Sequence, residues 1–172
     1  MDKELENVLS AKEERWSKRL LLSQENKCAV VSISLCVPLK YRTNDSCKET
    51  FYGVCKLYEK YSEENGIPLI YKGKIDGADG PTVFYVSKNN ALAVKKIAAA
   101  FETLRKCFRI MDIDIMDESL KPIGREDINL SPRKCFICDN ESAVCVKAKT
   151  HSGEELDTAI KSYFDEAEKI LK

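Results

Sequence analysis

The chain has 172 residues, with 28 basic side chains against 28 acidic ones and a formal net charge of zero. That length suits one domain with a core large enough to need no covalent staples. The charge balance argues against a nucleic-acid partner, and no apolar run approaches the ~20 residues that cross a bilayer.

The opening Met1-Asp2-Lys3-Glu4-Leu5-Glu6 is too acidic for a secretory signal. A cytoplasmic protein with no membrane or nucleic-acid partner is therefore expected, its eight cysteines reduced. Cys28, Cys36, Cys47, Cys55 and Cys107 sit among apolar residues and read as core packing.

Ser10-Ala11-Lys12-Glu13 matches a capping box and predicts a helix to about Gln24, with Trp16 and Leu20 in its apolar stripe. Cys28 to Leu35 reads as a strand, with Ser32 and Ser34 on one face and Val31, Ile33 and Leu35 on the other. Pro38 ends it. Ser46-Cys47-Lys48-Glu49 predicts a second capped helix, with Phe51, Val54, Tyr58 and Tyr61 at helical spacing and a stop at Asn65-Gly66. Leu69 to Ile75 and Thr82 to Val86 read as strands around a turn at Asp76 to Pro81.

Asn89 or Asn90 caps an alanine-rich helix from Ala91 to about Leu104. Cys107 to Met116 reads as a strand, Asp117 to Gly124 as a turn, and Arg125 to Leu130 as the hairpin partner. A last helix begins near Ser152 or Gly153, with Leu156, Ile160, Tyr163, Ala167 and Ile170 as apolar positions. This order predicts an α+β fold: one domain over residues 1–172, with a mixed or mostly antiparallel sheet flanked by helices.

The acidic strand carries the first chemical signal. Met111, Ile113 and Ile115 alternate with Asp112 and Asp114, which therefore share a face with Cα atoms ~6.5–7 Å apart. Two carboxylates so placed can hold Mg²⁺, which stabilises attacking and leaving oxygens at phosphorus. An acidic outer face of a half-buried strand gives the same pattern. Asp127, on the expected hairpin partner, is the candidate third carboxylate, and Asp117 a weaker one.

The second signal is Cys135 and Cys138 with two residues between them, Cys145 after six more, and the sole histidine, His151, after another five. Three thiolates and an imidazole can complete a tetrahedral structural zinc site. A cysteine-lined turn packed under the last helix is the competing reading. His151 can equally contact a phosphate or act as a general base. Lys147, Lys149 and His151 alternate and could point to one side, or form a solvated face.

Arg109, Arg125, Arg133 and Lys134 flank both signals. Arginine suits phosphate oxygens because its fork is planar and bidentate. Metal-binding carboxylates with arginines are what phosphoryl or nucleotidyl transfer needs. No glycine-rich phosphate loop occurs, which argues against a P-loop enzyme.

Asp112-Ile113-Asp114-Ile115, Arg125, Pro132-Arg133-Lys134-Cys135-Phe136-Ile137-Cys138, Cys145 and Lys149-Thr150-His151 together resemble the citrate lyase holo-acyl-carrier-protein synthase family. Its members are also called apo-citrate lyase phosphoribosyl-dephospho-CoA transferases. The resemblance is strongest over 109–151 and extends upstream through Glu14-Arg15, Val30 to Ser34, Pro38, Lys40 and Gly80-Pro81. The chain departs from the family pattern at Lys106-Cys107-Phe108, Gly124 and Val146-Lys147, and lacks the glycine-serine signature of polymerase-type nucleotidyltransferases.

The resemblance implies a nucleotidyltransferase-like reaction. The 2′-(5″-triphosphoribosyl)-3′-dephospho-CoA donor would pass its prosthetic group to a serine of the acyl-carrier (gamma) subunit of citrate lyase, releasing pyrophosphate. It further implies Mg²⁺ on Asp112 and Asp114 with Asp127 as candidate third ligand, Arg109, Arg125, Arg133 and Lys147 on phosphates, and His151 assisting proton removal. The alternatives are a non-catalytic zinc-stabilised carrier-binding module, an inactive relative, and a transferase for a related carrier such as that of malonate decarboxylase.

Overall fold

A computed structural model describes residues 3–172. Met1 and Asp2, the first residues of the acidic opening, lie outside the described residues. The elements in order are α1 (Lys3–Asn26), β1 (Ala29–Leu35), α2 (Leu39–Arg42), α3 (Asp45–Glu64), β2 (Ile70–Gly77), β3 (Gly80–Ser87), α4 (Ala91–Leu104), β4 (Met111–Met116), β5 (Pro122–Ile123), α5 (Ser142–Ala148) and α6 (Gly153–Leu171). The strands form one sheet in the order β2-β3-β1-β4-β5, and every neighbouring pair is antiparallel. The α+β expectation holds, with no parallel pair in this sheet.

Period-two alternation divides the sheet into two unlike faces. Val31, Ile33 and Leu35 of β1 and Met111, Ile113 and Ile115 of β4 meet Phe51, Val54 and Tyr58 of α3, Phe101 of α4 and Ile160 of α6 in the main core. Burying each such side chain contributes roughly 1.5–3 kcal/mol. On the opposite face Val30, Phe84, Val86 and Met116 form a smaller cluster with Leu22 of α1. The rest of that face is polar: Ser32, Ser34, Asp112 and Asp114. Thus α1 closes one end of the face with apolar side chains and leaves the acidic end beneath its middle turns.

Several local expectations are corrected. The chain is already helical at Lys3, so Ser10 lies inside α1 and caps nothing. The cap of α3 is Asn44, whose side chain accepts the Cys47 N–H at 3.1 Å, and Ser46 sits in the first turn. Asn90 caps α4, and Ser152 with Glu155 forms the capping box of α6. Residues 106–110 are a 3₁₀ turn, so the acidic strand starts at Met111. Within that turn Phe108 stacks on Phe101, ring centroids 4.3 Å apart, which fixes the approach to β4. Ile170 is 37% exposed and lies off the buried stripe of α6.

The hairpin partner of β4 is Pro122–Ile123, not 125–130. Residues 126–128 form a 3₁₀ turn, ended by Asn129 in the left-handed region. Asp127 closes this loop by accepting the Gly124 N–H at 2.8 Å. No helix among the described residues is long and apolar enough to cross a membrane.

Candidate active site

The register of β1 against β4 places Ser34 opposite Asp112 and Ser32 opposite Asp114. Two small side chains beside two carboxylates leave room, and a cavity of about 340 Å³ opens there. Its lining includes Asp112, Asp114, Ser34 and Cys36 below, with Lys12, Arg15, Trp16 and Arg19 of α1 and Arg42 of α2 around them. Arg19 donates to Asp114 Oδ2 at 2.7 Å. Arg15 pairs with Asp79, a 3% exposed carboxylate in the β2–β3 turn. Gly80 follows it at φ +103°, and a Cβ there would stand 2.6 Å from Arg42 Cβ, so glycine lets α2 approach the sheet.

Burial raises the Asp112 carboxyl above the ordinary carboxylate range, and Asp114 raises it further, against the pull of Arg133, Lys95 and Arg19. Two carboxylates on one strand face at a cavity could hold a divalent cation.

Beyond its short pairing with β5, the outer edge of β4 is capped by cations. Arg133 Nη1 donates to the Met111 carbonyl at 3.1 Å, and Lys95 Nζ to the Ile113 carbonyl at 3.0 Å. Glu102 of α4, 6% exposed, anchors this edge by pairing with both Arg125 and Arg133. Arg133 also reaches Asp112 Oδ1 at 3.4 Å.

A second cavity, about 460 Å³, lies on the far side of Cys36, which lines both. Arg105, Lys106, Arg109, Arg125, Arg133 and Lys134 surround it, with Leu130, Pro132 and Phe136 as apolar patches. Arg109 donates to the carbonyls of Lys134 and Cys135, the latter at 2.9 Å, and lies 5.6 Å from the Phe136 ring centre. Cys36 is thus a wall between cavities, not the core residue the sequence suggested. Burial pushes its thiol up, and Asp112 adds to this.

The cysteine corner closes as a unit. Ligand atoms of Cys135, Cys138, Cys145 and His151 all lie within 4.8 Å of one another. Cys138 Sγ is 3.5 Å from Cys145 Sγ and 3.3 Å from His151 Nε2. Ligands ~2.0–2.3 Å from a tetrahedral zinc stand at comparable separations. Cys145 comes from α5, and Lys149, left-handed at φ 49°, turns the chain so that His151 comes back beside it. Although burial opposes it, backbone N–H groups of Ile137 and Cys138 and the neighbouring thiols draw the Cys135 thiol down to about 7. This set has the residue types and spacing of a zinc site.

The structure therefore brings together Asp112, Asp114 and Arg133, and separately Cys135, Cys138, Cys145 and His151. It places Arg109 and Arg125 on the second cavity. Lys147 is exposed on the last turn of α5, outside both cavity linings, and the helix removes the strand-like alternation with Lys149 and His151. Asp127 also lies outside both linings, bound to Gly124 and to Lys121 at 3.2 Å.

Sequence reasoning missed Lys12, Arg15, Arg19, Arg42, Lys95 and Glu102. A signal existed for two of these pairs. Arg15 and Arg19 are spaced i, i+4 in a helix, and Lys95 and Glu102 interrupt the apolar face of an alanine-rich one.

Comparison with known proteins shows the family of the chain. A model of the apo-citrate lyase phosphoribosyl-dephospho-CoA transferase family matches residues 3–167. A Streptococcus pyogenes protein named probable apo-citrate lyase phosphoribosyl-dephospho-CoA transferase is 29% identical over 161 residues, 91% of this chain and 83% of its own. A Shigella boydii protein named apo-citrate lyase phosphoribosyl-dephospho-CoA transferase is 23% identical over 150 residues, 87% of this chain and 81% of its own. Protein CitXG of Leuconostoc mesenteroides matches at 26% over 81% of this chain but only 30% of its own length. With almost its whole length matched, the chain belongs to the apo-citrate lyase phosphoribosyl-dephospho-CoA transferase family of enzymes.

Proposed function

We propose that this enzyme transfers the prosthetic group of 2′-(5″-triphosphoribosyl)-3′-dephospho-CoA to a serine of the apo acyl-carrier subunit of citrate lyase. One observation carries the reading: in a chain of this family, Asp112 and Asp114 share one strand face beneath a cation-lined cavity. In the reaction a serine Oγ–P bond forms at the α-phosphorus, the bond to pyrophosphate breaks, and the hydroxyl proton leaves to a base. The whole chain, 1–172, acts as one transferase domain working in the cytoplasm.

Asp112 and Asp114 would hold Mg²⁺, and their shared strand face at the cavity supports this. Bound there, the ion would supply charge stabilisation to the displaced phosphate oxygens. Arg133 keeps its guanidinium beside Asp112 and the second cavity, where it can meet the donor. Arg125 and Arg109 lie on that cavity and would contact the dephospho-CoA portion. Lys147, exposed on α5, is better suited to the carrier than to a phosphate. Cys135, Cys138, Cys145 and His151 would hold a structural zinc, so His151 acts as ligand and not as base. Arg109, bonded to the Cys135 carbonyl, ties that zinc corner to the donor cavity.

Intact-mass analysis of the apo carrier with this protein, donor and Mg²⁺ tests the reading. A gain equal to the donor minus pyrophosphate, abolished by a chelator, is expected. No gain, with carrier and donor competent toward another synthase, would leave a carrier-binding module. A gain only on the carrier of malonate decarboxylase would reassign the partner.

A further inference from the structure

The face that α1 turns toward the carboxylates is neither apolar nor self-satisfied. Lys12, Arg15, Trp16 and Arg19 fall at i, i+3, i+4 and i+7, one helical stripe, and all line the same cavity. The Nε atoms of Arg15 and Arg19 are buried and have no hydrogen-bond partner in the protein. A buried donor left unpaired is costly, and a ligand offering anionic oxygens satisfies it. Trp16 stands at the rim with 45% of its surface exposed. An indole left open beside arginines is a platform on which a flat aromatic ring can stack.

Charge points the same way. Arg15 is balanced by Asp79 and Arg19 by Asp114, while Lys12 and Arg42 line the cavity with no carboxylate ion pair among the described residues. A divalent cation on Asp112 and Asp114 would make the site more positive still. The cavity of about 340 Å³ sits between that pair and the α1 stripe. Its walls suit a polyphosphate, and its rim suits the base.

We propose that this stripe of α1 is a nucleotide grip: Arg15, Arg19 and Lys12 take the oxygens of a ribose 5′-triphosphate, and Trp16 stacks on the purine joined to it. The proposal rests on the transferase reading, and assigns the reacting end of the donor to α1 and not to the arginines of the second cavity. Trp16 is then a binding residue and the natural reporter, since the chain has one tryptophan.

The test titrates the full chain, in Mg²⁺, with ATP and with inorganic tripolyphosphate, reading tryptophan emission and calorimetric heat. ATP should quench Trp16, and tripolyphosphate should bind with a smaller emission change. Arg19→Gln should weaken both ligands at least about tenfold. Trp16→Phe should weaken ATP several-fold and leave tripolyphosphate unchanged. Should Arg19→Gln fail to fold, the exposed Lys12→Gln makes the same test, with several-fold weakening expected.

Neither ligand binding at millimolar concentration, in a preparation that passes the mass assay, would overturn the grip and leave the transferase standing. Both variants binding like the unaltered chain would overturn it too. Failure of binding and transfer together would overturn the functional reading and this proposal with it.

Discussion

Arg133 reaches Asp112 at 3.4 Å with the same guanidinium nitrogen that pairs with Glu102. A buried carboxylate on α4 thereby sets the position of a cation beside the acidic pair on β4. Burial pushes the Glu102 carboxyl up, while Arg133, Lys95 and Arg125 oppose that shift. Removing one partner of such a network leaves the others uncompensated. Glu102→Gln keeps the shape of the side chain and removes the charge that pairs with both arginines. Because Arg133 and Arg125 lose their anchor, KM for the donor should rise. Steady-state kinetics check this, and an unchanged KM would remove Glu102 as anchor.

Replacing Asp112 has opposite effects on activity and on stability. Asn in place of Asp112 or of Asp114 should reduce transfer at least about a thousandfold. Burial first, then Asp114, raises the folded Asp112 carboxyl above its unfolded value. A carboxyl shifted that way contributes stability below its unfolded pKa and loses it as pH rises through the folded pKa. The metal-free chain therefore carries a small penalty at neutral pH that Asp112→Asn removes. Its Tm at pH 7 should rise slightly, with the difference shrinking on acidification. Mg²⁺ should raise the Tm of the unaltered chain and leave that of the variant unmoved. A variant that melts lower at pH 7 would contradict this account.

What the sequence made legible follows from what each signal encodes. Alternation in Val30 to Leu35 and Met111 to Met116 is local, and both strands present the faces it predicted. The cysteine spacing is nearly local as well, needing only one left-handed turn at Lys149 to close. The hairpin at 125–130 failed because the Asp127 side chain satisfies Gly124 and substitutes a turn for a ladder. Ser10 looked like a cap because its side-chain pattern is right, yet the helix runs past it. The cavity walls on α1 were hidden for a different reason. Nothing in Arg15 or Arg19 alone says that α1 crosses the sheet above Asp114, which depends on long-range packing of Leu22 against Phe84 and Met116.

Asp127 separates a structural carboxylate from a catalytic one. Its carboxyl is held below the ordinary range by the Gly124 N–H and then by Lys121. A carboxyl depressed in this way contributes stability above its unfolded pKa and loses it as pH falls through the folded pKa. Asp127→Asn should therefore lower Tm at neutral pH, with the difference closing through the acid range. Transfer should stay within about threefold of the unaltered chain, as expected away from the reacting groups. Loss of transfer on the scale of Asp112→Asn would return Asp127 to the metal site.

His151 supplies the sharpest division between structural metal and proton transfer, because one substitution answers for both. Its Nε2 lies 3.3 Å from Cys138 Sγ, and the same cluster includes Cys135 and Cys145. A fourth thiolate can replace an imidazole on zinc, whereas it cannot reproduce an imidazole base titrating near neutrality. The purified chain should contain one zinc by elemental analysis. Chelation should lower Tm sharply, since metal binding at such a corner is folding free energy. His151→Cys should retain the zinc and most of the transfer activity, while Cys138→Ser loses metal and stability together. Because Arg109 holds the carbonyls of Lys134 and Cys135, loss of the metal should also loosen the second cavity and weaken donor binding. Zinc retained in His151→Cys with transfer abolished would make the imidazole a catalytic group. Absence of zinc from the unaltered chain would leave the cluster a thiol-lined turn.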